Sequence, residues 1–214
     1  FKTHVFTGPG TFAVSCAGSV CGSNTIDYVV VAAGGGSQGA ACQTGGGGGG
    51  GFRLSNSVGC VPAPTMSPLT NPTGLPVTAT GYPVTVGGGT SGTAGSNSVF
   101  AGSSTITSAG GGASPGGSGG SGSGTKPLGA AGGLGNTPPV SPSQGNPGGS
   151  GAHQAAQYGV GGGGGAGAAG VNGSPGAGGN GGVGSYIGDT FFGPTAPSYG
   201  TPGPVGSTRY FAGG

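Results

Sequence analysis

Residues 161–184 read GGGGGAGAAGVNGSPGAGGNGGVG, and the spacing of glycine in this stretch decides the fold. Glycine stands at Gly161, Gly164, Gly167, Gly170, Gly173, Gly176, Gly179 and Gly182, every third residue through eight repeats. Glycine is dense here, so density alone would produce some of this spacing. The same step recurs elsewhere, however, at Gly89, Gly92 and Gly95, at Gly116, Gly119 and Gly122, at Gly129, Gly132 and Gly135, and at Gly145, Gly148 and Gly151. Upstream it runs from Gly36 and Gly39 through Cys42 to Gly45, Gly48 and Gly51. The phase resets between blocks, at breaks such as Pro138-Pro139 and Ser141-Pro142.

Three residues per turn is the period of polyproline II, an extended helix that makes no hydrogen bonds of its own. A glycine at every third place leaves one face without side chains. Neighbouring helices can then approach until N–H and C=O groups bond between them, which supplies the partners that buried backbone groups require. Short blocks joined by turns predict a stack of rods. Collagen shares the period, but only Pro175 supplies proline within 161–184 and the blocks are short and interrupted. A slack glycine linker is the other rival, and the β-like segments described next argue against it.

Outward from this block the chain reads as β-rich over 1–33. Phe1-Lys2-Thr3-His4-Val5-Phe6 and Thr11-Phe12-Ala13-Val14-Ser15 alternate around Gly8-Pro9-Gly10, and Asp27-Tyr28-Val29-Val30-Val31-Ala32 is a β-branched, apolar run. A glycine-rich body follows over 34–184, with β-like patches at 75–86 and 98–107, and then an aromatic segment over 185–214. No segment carries a helical period with caps, and glycine and proline disfavour helix interiors by about 1 and 3 kcal/mol. The expected fold has essentially no α-helix, with short N-terminal β-strands and a glycine-rich polyproline II helix bundle.

Composition excludes much else. Of 214 residues 63 are Gly and 18 Pro, against four Lys and Arg, two Asp and Glu, and no Trp. Such a chain lacks the apolar side chains of an ordinary enzyme core. Yet with a net charge of +2 it does not repel itself as disordered chains do. Lys2, Arg53, Lys126 and Arg209 are scattered, so no basic patch for nucleic acid exists. No apolar run is long enough to span a membrane. The sequence starts at Phe1 and stops in Ala212-Gly213-Gly214, which reads as two cuts through a longer polypeptide.

No chemistry-bearing motif emerges, and neither an enzyme nor a cofactor or metal is expected. Glycine-spaced dinucleotide patterns occur by composition and sit in no strand–helix unit. Asp27 and Asp189 are the only carboxylates, and His4 and His153 the only imidazoles. His4 and His153 with Cys16 and Cys21 match zinc spacing only loosely. Cys16, Cys21, Cys42 and Cys60 all fall in the first 60 residues and are candidate disulfide partners or small buried thiols. Four cysteines allow three pairings, and oxidation would favour an extracellular location.

The order Val5-Phe6-Thr7-Gly8-Pro9-Gly10-Thr11-Phe12, then Ile26-Asp27-Tyr28-Val29-Val30-Val31-Ala32-Ala33-Gly34-Gly35-Gly36, then Tyr82-Pro83-Val84-Thr85-Val86-Gly87-Gly88-Gly89, then Ser104-Thr105-Ile106-Thr107-Ser108-Ala109-Gly110-Gly111-Gly112 resembles the glycine-rich domain of bacteriophage tail-fibre and other virion structural proteins, over most of 3–185. The resemblance implies a sandwich of polyproline II helices with receptor contacts on loops at one tip; no contact residue maps onto this chain from sequence. It implies a virion or extracellular location, a homo-oligomer or other virion proteins as partners, and a host cell-surface receptor. Two other functions fit the lattice: an extracellular filament or surface-layer subunit of a microbe, and an ice-binding protein, for which Thr90 and Thr93 are the suggestive pair. The four clustered cysteines depart from the resemblance.

Overall fold

The computed structural model describes residues 2–18, 24–38, 44–57, 66–127, 129–154 and 157–214, with backbone only at 195–197. Fourteen short strands and almost no helix make up its regular structure. In chain order they are β1 (Gly10–Ala13), β2 (Thr25–Ile26), β3 (Val29–Val31), β4 (Phe52–Ser55), β5 (Thr70–Asn71), β6 (Leu75–Pro76) and β7 (Gly81–Thr85), then β8 (Ser98–Ala101), β9 (Thr105–Ser108), β10 (Ala152–Gln154), β11 (Gln157–Gly159), β12 (Ser185–Gly188), β13 (Thr201–Pro202) and β14 (Thr208–Phe211). A single α-helical turn, α1 (Asp189–Phe192), leads into a 3-10 segment, Gly193–Ser198.

The glycine tracts between strands pair main chain to main chain. Residues 45–51 form the clearest rod. Gly48 and Gly51 donate to Gly112 and Ala109, and Gly46 and Gly49 donate to Gly161 and Gly164. Its carbonyls accept at the same interval: Gly48 and Gly51 from Gly35 and Ala32, Gly46 and Gly49 from Gly124 and Ser121. Every neighbour is met at a step of three residues. That is the signature of a threefold extended helix, because amides three apart point the same way. The rods at 119–125 and 160–165 are surrounded in the same manner. Gly122 and Thr125 donate to Asn146 and Gly149, while Gly162 and Gly165 donate to Val171 and Ala168. Rods at 32–36, 109–113, 132–136, 145–150, 168–173 and 178–184 pack around these three.

Close approach of backbones explains why the inner rods are glycine. A Cβ on any residue from Gly45 to Gly51 would lie 1.9 to 2.7 Å from another atom, main chain in all but one case. The same holds for Gly161 to Gly165, at 1.9 to 2.3 Å. Outer rods tolerate a side chain where they face solvent, and there Leu134, Val171 and Val183 stand 66%, 52% and 57% exposed. The unbroken runs 45–51 and 161–165 are both enclosed rods, while the third enclosed rod, 119–125, admits the small side chains of Ser121 and Ser123, each 0% exposed.

The two clusters of buried apolar side chains lie at one end of the rods. There Ala32, Gly51 and Ala109 lie side by side, and the chain passes into strands. Sheet β1-β7-β8-β9 is antiparallel throughout, and with β2-β6 it encloses a cluster of Tyr28, Leu75, Val77, Tyr82, Phe100 and Ile106. Sheet β3-β4-β5 and sheet β12-β14-β13 enclose a second cluster of Phe52, Leu54, Met66, Ala166, Ile187 and Phe192. Buried Gln144 joins this base to the lattice, its Oε1 accepting from Ala109 N at 2.8 Å and its Nε2 donating to Pro138 O at 2.8 Å.

The expected near-absence of helix and the expected β segments around 27–32, 75–86 and 98–107 appear, in shortened form. The alternation expected over 1–6 forms no strand among its described residues: residues 2–6 lie outside any sheet, and β1 begins only at Gly10. β1 pairs with β7 of the 75–86 patch, and β3 with β4 directly after the first glycine run.

Candidate interaction surface

The rod directions send most connections to the end opposite the base. Gly36, Gly46, Ser114, Thr125, Gly149 and Gly161 lie together there through successive main-chain bonds. From that level spring the described residues of the connections at 90–92, 115–116, 126–127, 129–130, 151–154, 157–159 and 174–177, beside Ser37, Gln38 and Thr44. Each turn is short. The ones at Ser114-Pro115-Gly116 and Ser174-Pro175-Gly176 close through glycines at φ +69° and +79°, a conformation that side chains disfavour. The largest excursion is the β10–β11 hairpin, in which His153 faces Tyr158 across the strands with ring centroids 5.2 Å apart. His153, Gln154, Gln157 and Tyr158 are all exposed.

Charge is distributed unevenly over the two ends. Asp27 lies at the base, its carboxylate accepting from Ser55 Oγ at 2.9 Å, Ser57 N at 2.9 Å and Ser57 Oγ at 3.1 Å. Asp189 opens α1, also at the base. Arg209 in β14 donates from Nε to Tyr199 O at 2.7 Å, and Arg53 sits in β4. Lys126 alone among the formal charges belongs to the loop end.

The residues singled out in the sequence do not converge on a chemical centre. Gly161 and Gly164 lie in the inner 160–165 rod, while Gly167 falls in the turn after it. Gly170 and Gly173 belong to the next rod, Gly176 to the turn beyond, and Gly179 and Gly182 to the last rod. The three-residue step thus runs through three rods and two reversals. Cys16 is an exposed free thiol; Cys21, Cys42 and Cys60 lie outside the described residues. His4 packs edge-on against Phe12 of β1 in the base, away from the His153 hairpin. Among the described residues no three of His, Cys, Asp and Glu cluster for a metal. Thr90 and Thr93 share one turn, their hydroxyls bonded to each other. A shallow cleft of about 220 Å³ opens at the base beside Leu69, Asn146, Tyr186 and Tyr210. No described helix is long and apolar enough to cross a membrane.

Glycine-rich rods, an apolar base and a set of turns at the opposite end make up the described body. The glycine-rich domain family profile matches residues 7–214, and the chain belongs to that family. No curated protein and no solved structure matches it.

The hairpin at 151–159 was not legible beforehand. Its strands are three residues each, and Ala-His-Gln and Gln-Tyr-Gly carry no alternation long enough to stand out from the surrounding tracts. The only signal was local: two aromatic rings within a stretch otherwise made of small residues.

Proposed function

We propose that this chain is a structural and adhesive protein of a virion surface, a part of a phage tail fibre that presents its loop end to a receptor on the host cell. The observation that carries the reading is the gathering of turns at the end farthest from the base. Rods locked by main-chain bonds fix the spacing of these turns, and the turns themselves take no part in the apolar clusters. Their sequences can change without disturbing the scaffold, which suits a surface that must follow a changing receptor. The opening strand–turn–strand and the order of glycine runs resemble the virion glycine-rich domains and support the same assignment. Assembly with itself or with other virion proteins would use the base and the flanks.

The test is attachment. Purified chain coupled to beads is expected to bind host cells and to block adsorption of the particle that carries it. Antibody to the chain is expected to decorate the distal end of a tail fibre in micrographs. Beads that bind no cell that the particle infects, with label elsewhere than on a fibre, would overturn the reading.

One observation favours a filament or surface-layer subunit as the second reading. Gly34, Gly88 and Gly89 are exposed, and a Cβ on any of them would meet nothing nearer than 3.6 Å. These side-chain-free positions leave room for a rod of another molecule. Polymers formed by the purified chain alone would favour this reading over the first.

A further inference from the structure

We infer that the β10–β11 hairpin is a carbohydrate platform, on which the rings of His153 and Tyr158 receive a sugar ring of a cell-surface glycan. The inference rests on the adhesive reading and adds to it the chemical class of the receptor. Among the described residues, this is the one pair of contacting rings with both members exposed. Every other ring pair has at least one ring buried or half-buried in the base. The hairpin pairs only with itself, and its two rings cover no apolar cluster. Cross-strand contact accounts for the two residues meeting, but an aliphatic or Thr pair would serve that purpose in a hairpin that packs on no core. Aromatic rings left in water are the feature to explain, with Tyr158 46% exposed.

The chemistry of the patch selects a sugar. A ring face is negative and attracts the weakly positive C–H bonds on one side of a pyranose. The phenol hydroxyl and the imidazole nitrogens at the ring edges can donate to and accept from sugar hydroxyls. A nucleic acid would need several cations, and this end has Lys126 alone. Both carboxylates of the chain, Asp27 and Asp189, belong to the base, so no negative charge at this end repels the acidic groups common on surface glycans.

The full chain, displayed multivalently on beads, is applied to a printed array of neutral and acidic bacterial surface oligosaccharides, in parallel with host cells. Binding to a set of spots is expected, falling at least about tenfold in the His153→Ala, Tyr158→Ala double variant. Tyr158→Phe, which keeps the ring face, is expected to retain most of the signal. Leu134→Ala, at an exposed position on a flank of the lattice, is expected to leave it unchanged. Two results overturn the platform and leave the adhesive reading standing: wild-type beads that coat cells but bind no sugar, or a double variant that binds the array as the wild type does. Beads that bind neither sugars nor cells overturn both.

Discussion

Two glycines show what this chain asks of single residues. A Cβ on Gly50 would lie 1.9 Å from Ala32 O and 2.9 Å from Ala33 O, main-chain atoms that cannot turn aside as a side chain could. Gly50→Ala is expected to destabilise by about 3 kcal/mol or more, at the upper end of overpacking effects. Thermal melts should show a fall of about 6 °C or more. A Cβ on Gly88 meets nothing within 4 Å, and its φ is outside the left-handed range. Gly88→Ala is expected to be neutral or to stabilise by about 0.4–1 kcal/mol, by restricting the unfolded chain. Equal effects at the two sites would contradict the lattice. Gln144 is the polar counterpart. Its side chain is 1% exposed, and Gln144→Leu leaves the Ala109 N–H and the Pro138 carbonyl without partners. A loss of about 1–3 kcal/mol is expected in denaturant titrations.

Among elements, the strands readable in the sequence were those rich in β-branched residues: Val29-Val30-Val31, the core of 81–85, and Thr105-Ile106-Thr107. The strand at Phe52–Ser55 escaped notice, although Phe52 and Leu54 are each 1% exposed. Four residues following seven glycines give too little alternation, and what makes them a strand is β3, β5 and the aromatic tail closing on them. Residues 2–6 show the converse, an alternating run that joins no sheet. The hairpin at 152–159 is held to the rods only through its two feet. Replacing it with a three-residue glycine–serine turn is expected to shift the melting midpoint by less than about 2 °C, since loop changes of this length alter closure entropy little. Host-cell binding is expected to disappear in the same variant.

For the whole molecule, glycine spacing made rods legible but not their arrangement. One bare rod fits any other, and only turn lengths and the position of the apolar clusters select which pairs meet. The three-residue step at Gly161 to Gly182 belongs to three rods, and the sequence carries no mark where the first becomes the second beyond Ala166 and Ala168. Two of the three inner rods, 45–51 and 161–165, carry long uninterrupted glycine runs, a signal that spacing at every third position does not use, while the third admits buried Ser121 and Ser123. The energetics of unfolding should show the same division. Opening the lattice exposes peptide groups, which lower the heat capacity, while only the base exposes apolar surface. Calorimetry is expected to give a heat-capacity change per residue well below the usual 12–15 cal/mol/K or so. A value in the ordinary range would mean that side-chain packing, and not backbone pairing, holds the body together.

The rods at 32–36, 45–51, 109–113, 119–125, 132–136, 145–150, 160–165, 168–173 and 178–184 contain no Asp, Glu, Lys, Arg or His. Acid has no group to protonate within them and brine no ion pair to weaken. Such a body keeps its shape across media that would loosen a charge-laced protein, and the turns it holds apart are left to meet whatever surface the medium brings.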